Sequence, residues 1–343
     1  MSLREILEEH RVPHGVALVA RGDAVDVATV GGVRRDSLFR IASIGKPITA
    51  AALMLVVQES VVGLDDPIAT WLPELAAPPV LRTPQSELDD VVRVAREVTV
   101  RDVLESPAGW GFPADFSVPG VGALFAEATM LTRTFASVDE WLAGLARVPL
   151  LAQPGAAWLY NTCSDLQGAL VERASGLPFA RVVHERVLAP LEMVDTAFHV
   201  APAKRARLAP YDGDPAMDRF DEEPGFASGA AGLVSTADDW LAFGRMLLAE
   251  GRPLLTPESL RLMTSDHMTP EQRDASTIFL EGAGWGYGGS VAGPRYGWVG
   301  GSGTTAHVDF ASGTVAVLLT QQQMPGPTPT PLMRAFWAAA FAG

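Results

Sequence analysis

Lysine is almost missing from this 343-residue chain: of 26 basic side chains all but two are arginine, and only Lys46 and Lys204 remain. Cysteine is scarcer still, with Cys163 alone. A single thiol excludes an internal disulfide and any cysteine-rich metal site. Positive charge is short as well, because 40 acidic residues leave a formal net charge of −14. That balance argues against nucleic acid and against an anionic membrane surface, since both reward clusters of Lys and Arg. No apolar run reaches the ~20 residues of a membrane span. The longest, Pro47 to Val57 and on to Val62, carries Gln58 and Glu59. The opening segment MSLREILEEHRVPHG has neither an apolar signal core nor a cleavage box, so a soluble, cytoplasmic protein is expected.

What is present is enough for a sizeable core. Hydrophobic residues make up 48% and charged residues 19%, which excludes wholesale disorder. The length suits about two ordinary domains, or one large core with an insertion. Gly15–Ala20 and Val25–Val30 are apolar runs separated by Arg21-Gly22-Asp23, a hairpin signal. The Pro47–Val57 run reads as a buried helix. From about 61 to 200 the pattern is helical, with a capping box at Ser137-Val-Asp-Glu140. Residues 107–120 are rich in Pro and Gly and read as an ordered surface loop with aromatic tips. The acidic stretch Asp212 to Glu223 reads as a solvated loop.

Towards the C-terminus, Thr236-Ala-Asp-Asp239 caps a helix running to about Glu250, and Thr256-Pro257 opens another. Strand-like runs follow at Gly284–Val291, Tyr296–Val299, Thr304–Phe310 and Thr314–Thr320, then a helix over about Pro331–Phe341. The expected fold is α/β (α+β): a mainly antiparallel sheet built from residues 1–60 and 200–343, covered by helices on both faces. A mostly helical subdomain, 61–199, is inserted into it.

The strongest chemical motif is Ser43-Ile44-Gly45-Lys46 at the start of the apolar helix. Spacing i, i+3 puts both side chains on one helix face. A serine hydroxyl is a weak nucleophile until a neighbouring base takes its proton. A lysine becomes that base when burial lowers its pKa towards neutrality. With 18 serines and two lysines, a chance Ser-x-x-Lys pair is about a one-in-ten event. Lys204 lies in Ala-Lys-Arg-Ala-Arg and has no such setting.

Two further segments have open readings. Pro154-Gly155-Ala-Ala-Trp158-Leu-Tyr160-Asn161-Thr162 offers a tyrosine, one of only four. A phenol beside an ammonium shuttles protons, its pKa lowered by the cation; equally, Tyr160 is a boundary tyrosine with a satisfied hydroxyl. Tyr296-Gly-Trp298-Val-Gly300-Gly301-Ser-Gly303-Thr is either a substrate-binding edge strand approached closely by backbone or an ordinary Gly-rich hairpin.

Taken in order, Ser-x-x-Lys, a Tyr motif and a Gly-rich strand resemble the serine β-lactamase and penicillin-binding-protein superfamily, and within it the class C β-lactamase-related esterases. Collinear stretches run along almost the whole chain: Phe39-Arg-Ile-Ala-Ser43-Ile-Gly-Lys46-Pro, Leu64-Asp-Asp-Pro67, Thr99-Val-Arg-Asp-Val-Leu104, Gln153-Pro-Gly155, Gly229-Ala-Ala-Gly-Leu-Val-Ser-Thr236 and Tyr296 to Asp309. The resemblance implies that Ser43 is the acylated nucleophile, Lys46 its base partner and Tyr160 the proton shuttle. It also implies an oxyanion hole of the Ser43 and Gly301 backbone amides, with no metal and no cofactor.

The sequence departs from that family at three places. Trp298-Val-Gly300 stands where β-lactamases carry Lys-Thr-Gly, and a tryptophan does not bind a carboxylate; Arg295 lies near enough in sequence to substitute. The second amide residue of the Tyr motif falls at Thr162, so its role is missing or displaced to Asn161. The His-Thr-Ser-Gly loop reads Ser106-Pro107-Ala108-Gly109. Losing both lysine and amide favours a neutral acyl substrate over a penicillin. Trp110, Phe112, Phe116 and Trp298 are candidates for an apolar acyl pocket, or else for packing against the helical subdomain.

No Gly-x-Ser-x-Gly elbow is present, the six histidines are dispersed, and Cys163 reads as a packed thiol. The expected function is a serine hydrolase acting on a small-molecule ester or amide, foremost a carboxylesterase. An acyltransferase, a β-lactamase or D-aminopeptidase, and a non-catalytic binding or assembly protein are the alternatives. The oligomeric state is not readable from the chain.

Overall fold

The computed structural model describes residues 1–130, 134–211 and 220–342. The first hairpin forms where the turn residues require it. Strand Gly15–Arg21 turns through Gly22, at φ 57°, into strand Ala24–Val30, with Leu18 opposite Val27. Five strands from the other end complete the same sheet: Gly284–Trp285, Ser290–Ala292, Arg295–Gly300, Thr304–Asp309 and Thr314–Thr320. The last of them pairs with the first hairpin, Val317 facing Leu18, and every pairing in the sheet is antiparallel.

Thr304–Asp309 and Thr314–Thr320 are buried along their whole lengths, as strands covered on both faces must be. Helix Ala237–Leu248 covers one face, lying on Val308 and Val315 through Gly244. The C-terminal helix Pro331–Ala340 covers the other, with the Trp337 ring edge-on to His307 at 5.0 Å. The architecture is therefore an antiparallel sheet between helices. Among the described residues, the segment 61–199 adds no strand to this sheet; its one strand pair is Val80–Leu81 with Val91–Val92, beside isolated bridges such as that of Phe112 with Tyr160.

Several local expectations need correction. The run Gly284–Val291 is two short strands, because the Gly286 amide bonds the Gly289 carbonyl and closes a turn between them. Ser137 accepts from the Glu140 amide, but the Glu140 carboxylate reaches the Ala136 amide instead of Ser137, so half of the capping box forms. The 107–120 loop does not carry its aromatics at exposed tips: Trp110 is fully buried and Phe112 nearly so, leaving only Phe116 exposed. Most of the acidic stretch Asp212 to Glu223 lies outside the described residues.

Helix Lys46–Gln58 is the central one. Its residues from Lys46 to Val56 are all buried, against helix Thr162–Ser175 among others. Ala, Leu, Met and Val fill every side of it, which marks a core helix. Among the described residues no helix is long and apolar enough to cross a membrane.

Candidate active site

Ser43 lies in a short 3₁₀ turn, Ala42–Gly45, that runs directly into the Lys46 helix, with Pro47 at a first-turn position where its missing N–H costs nothing. The turn is held from several sides. Trp240 donates its indole N–H to the Ile44 carbonyl at 3.1 Å, and Thr304 donates its hydroxyl to the Ile41 carbonyl at 2.8 Å. Ala42, just before the serine, has φ 49°, a costly conformation for a residue with a Cβ.

Two glycines let the sheet close on this turn. A Cβ on Gly300 would lie 2.6 Å from the Ile41 carbonyl oxygen, and one on Gly288, at φ +77°, would lie 2.5 Å from the Lys46 carbonyl oxygen. Both are closer than real Cβ contacts, so these positions need glycine. Gly300, expected to bind substrate, thus serves the approach of strand to serine.

Lys46 is fully buried. Its Nζ donates to Asn161 Oδ1 at 2.8 Å and to the Ala230 carbonyl at 2.7 Å. Burial pushes its pKa down to about 7, against the attraction of Asp165 and, more weakly, Cys163. Asn161, the position to which the amide of the Tyr motif was expected to be displaced if not missing, turns its Oδ1 to Lys46 and sits at φ 83° just before helix Thr162–Ser175. Thr162 begins that helix, buried, with its amide on the Tyr160 carbonyl; it does not line the cavity beside Ser43.

Asp165 and Ser228 were not signalled by the sequence. The Asp165 carboxylate accepts from Ser228 Oγ at 2.6 Å and from the Ala230 amide at 3.1 Å. It thereby fixes the same loop whose Ala230 carbonyl holds Lys46. Burial raises the Asp165 pKa, while the Ser228 hydroxyl and the Lys46 charge pull it back. Asp165 stands on a helix whose residues from Thr162 to Val171 are all buried in the structure, a setting the sequence pattern did not reveal.

The Tyr160 ring stands beneath the ammonium, its centroid 5.0 Å from Lys46 Nζ. Its hydroxyl accepts from the Trp298 indole N–H at 2.8 Å and is hydrogen-bonded with Ser43. Here the expectation of a depressed phenol pKa fails. Burial pushes it up to about 12, and the hydrogen bonds with Ser43 and Trp298 only partly oppose this. Desolvation of the phenolate is the largest cause, and Lys46, itself neutral well below that pH, supplies no charge to offset it.

Ser43, Tyr160, Asn161 and Gly301 border a cavity of about 510 Å³. Its apolar wall is built from Phe112, Phe116, Phe125, Met130 and Phe279, with Phe112 stacked on Phe116 at 5.6 Å and on Phe125 at 5.2 Å. Of the expected wall residues, Phe112 and Phe116 are present. Trp110 is not: its indole N–H goes to the Val148 carbonyl in the core. Trp298 contributes through Tyr160 and borders a different cavity, as does Arg295. Arg295 pairs with Asp309 at 3.1 Å, so it does not replace the missing lysine at the serine. Cys163 is buried with its thiol pKa pushed up to about 12 by desolvation, a packed thiol. Among the described residues no group of three His, Cys, Asp or Glu side chains is placed to hold a metal ion.

A turn-held serine, a buried lysine and a tyrosine meeting across an antiparallel sheet and a helical segment define the serine β-lactamase-like fold. The family model described as Beta-lactamase matches residues 2–338, and the chain belongs to that family. It is 34% identical to Protein Rv1367c of Mycobacterium tuberculosis, over 93% of this chain and 88% of that protein. It is 30% identical to Esterase EstB of Burkholderia gladioli, over 97% of this chain and 93% of that one. Among solved structures, simvastatin synthase (LovD) from Aspergillus terreus superposes with a TM-score of 0.80 at 22% identity, covering 99% of this chain and 97% of that one. EstCE1, described as a hydrolase with promiscuous acyltransferase activity, superposes with a TM-score of 0.78 at 22% identity, covering 99% and 96%. These two likenesses concern the fold.

Proposed function

We propose that this protein is a serine hydrolase that forms an acyl-enzyme on Ser43 and acts on carboxylic esters with a small apolar acyl group. The observation that carries the reading is the meeting of Ser43, a fully buried Lys46 and Tyr160 at an aromatic-walled cavity. With its pKa near 7, Lys46 is substantially neutral at physiological pH and able to accept a proton. Tyr160, with a pKa near 12, stays a phenol, so it passes a proton on rather than storing the negative charge.

In this mechanism the Ser43 oxygen attacks the ester carbonyl as its proton passes through the Tyr160 hydroxyl towards Lys46. The tetrahedral oxyanion is held by the Ser43 and Gly301 amides. Lys46 returns the proton by way of Tyr160 to the departing alkoxide, leaving an acyl-serine and a free alcohol. Water, deprotonated along the same path, then releases the carboxylic acid and restores Ser43. The Trp298 indole, by donating to Tyr160 Oη, aims the phenol's own proton.

An ester substrate is favoured over a β-lactam by the aromatic part of the wall, Phe112, Phe116, Phe125 and Phe279, and by the absence of a lysine among the described residues of the cavity lining. Similarity to Esterase EstB supports the same choice. A second reading, acyl transfer to an alcohol by the same acyl-enzyme, is supported by relatives named as acyltransferases, such as Acyltransferase mokF of Monascus pilosus at 27% identity. A series of p-nitrophenyl esters of increasing acyl length, run beside nitrocefin and with added alcohols, tests the reading. Rapid turnover of short to medium acyl esters into free acid is expected. Nitrocefin as the better substrate, or an acylated alcohol as the main product, would overturn it.

A further inference from the structure

A second cavity, of about 640 Å³, is bordered by Val291 and Val299 of the main sheet and by Trp337 and Phe341 at the C-terminal helix. Among the described residues, only Phe279 borders both this cavity and the one beside Ser43. Its ring is firmly packed. It is 5% exposed, and its centroid lies 5.0 Å from that of Tyr160, 5.8 Å from that of Trp158 and 6.0 Å from that of Phe116. The short helix that carries it, Thr277–Leu280, follows a segment tied to the Tyr160 loop by Gln272, whose Nε2 donates to the Gly155 carbonyl at 2.9 Å.

The chemistry of ester cleavage decides which half of a substrate meets that ring. The departing alkoxide takes its proton from the Tyr160 hydroxyl, so the alcohol oxygen of the ester sits against it. The same hydroxyl accepts from the Trp298 indole at 2.8 Å, and Trp298 is a wall of the second cavity. The body of the alcohol therefore extends from Tyr160 towards Phe279 and Trp298, with the second cavity behind them. That cavity suits an uncharged chain. Its bordering charges are already paired, Arg295 with Asp309, Arg273 with Asp266 and Glu281 with Arg334, while Val291, Val299 and Trp337 offer apolar surface.

We propose that Phe279 sets the size of the alcohol half of the substrate: its ring closes the Ser43 cavity off from the second one, and the enzyme is thereby confined to esters of short, uncharged alcohols. A smaller side chain at position 279 joins the two cavities and admits a longer alkyl chain. Each further methylene buried there strengthens binding about fourfold. This assignment rests on the ester reading of the Ser43 site and names the determinant of its alcohol specificity.

The test compares ethyl butyrate with octyl butyrate, which share an acyl group and release alkoxides of similar basicity, so the ratio of their kcat/KM values reports room for the alcohol. Phe279→Ala is expected to raise the octyl-to-ethyl ratio about tenfold over wild type, the effect of burying about two more methylenes. Phe279→Leu should raise it less, and it decides the test alone if the alanine variant does not fold. A ratio is insensitive to any uniform loss of rate from loosened packing on Tyr160. Val291→Trp, which fills the second cavity, should cancel the gain in Phe279→Ala. A crystal of Phe279→Ala soaked with octan-1-ol is expected to show the hydroxyl at Tyr160 and the chain running past position 279 into the second cavity. An unchanged ratio in both variants, a gain that survives Val291→Trp, or octan-1-ol held wholly within the Ser43 cavity would each overturn the proposal. A wild-type protein that hydrolyses neither ester defeats the ester reading instead, and the soaked crystal then still decides whether Phe279 is the partition.

Discussion

Lys46 Nζ donates to Asn161 Oδ1 at 2.8 Å across 115 residues of sequence, and the Ala230 carbonyl receives a second bond at 2.7 Å. Three separate segments thus converge on one ammonium. Both partners are neutral oxygens, so they orient the amine without the full charge compensation that would keep it protonated. This is how a lysine in a sealed site reaches a pKa near 7.

That pKa sets the pH profile. Activity needs Lys46 unprotonated before attack, so kcat/KM should rise with pH through about 7 and level off above it. Lys46→Arg should lose about 100-fold or more in kcat/KM, because a guanidinium does not deprotonate. A variant with near wild-type rate and an unchanged profile would remove Lys46 from the base role. Lys204 serves as a control: it is bonded to the Val194 carbonyl and paired with Asp195, far from this chemistry, and Lys204→Arg should leave the profile unchanged.

Asp165 acts through Lys46. Asp165→Asn removes a negative neighbour and loosens the Ser228–Ala230 loop. The expected result is a fall of about tenfold in kcat, with the acid limb of the profile moved to lower pH. A purely structural role would lower the amount of folded protein and leave the limb where it is.

Trp298→Phe should keep the ring packing and delete the N–H that holds Tyr160 Oη at 2.8 Å. One lost hydrogen bond of about 1 kcal/mol corresponds to a loss of about fivefold in rate. The loss should appear in kcat more than in KM, since the bond orients the proton carrier. An effect confined to KM would instead make Trp298 a substrate contact.

Buried His307 predicts an acid-sensitive fold. Its pKa falls from 6.5 to about 3 on folding, so the unfolded chain binds the extra proton between those values. The stability it contributes is fully present above about pH 6.5 and is lost progressively as pH falls towards 3. Denaturant melts of wild type and His307→Leu should therefore converge as pH decreases through that window, and a constant difference would contradict the assignment.

The nucleophile and its base were legible because lysine is so rare that a single Lys beside an apolar helix demands a reason. The first hairpin was legible from Gly22, and the sheet from strands at both chain ends. Trp110 misled, since whether an indole N–H finds a core carbonyl such as that of Val148 depends on packing absent from local pattern. Asp165, Ser228 and Phe279 escaped for the same reason: the Asp165–Ser228 bond and the Tyr160–Phe279 contact each join residues more than 60 positions apart. The Tyr160 pKa went the other way because the sequence does not show the depth of burial that raises it.

The central claim is the acyl-enzyme on Ser43. Incubating the protein briefly with an activated ester, then locating the adduct by peptide mass spectrometry, tests it directly. The adduct should sit on Ser43 alone and be absent from Ser43→Ala, which should also lose p-nitrophenyl ester turnover. An adduct on another residue, or turnover retained without Ser43, would contradict the account.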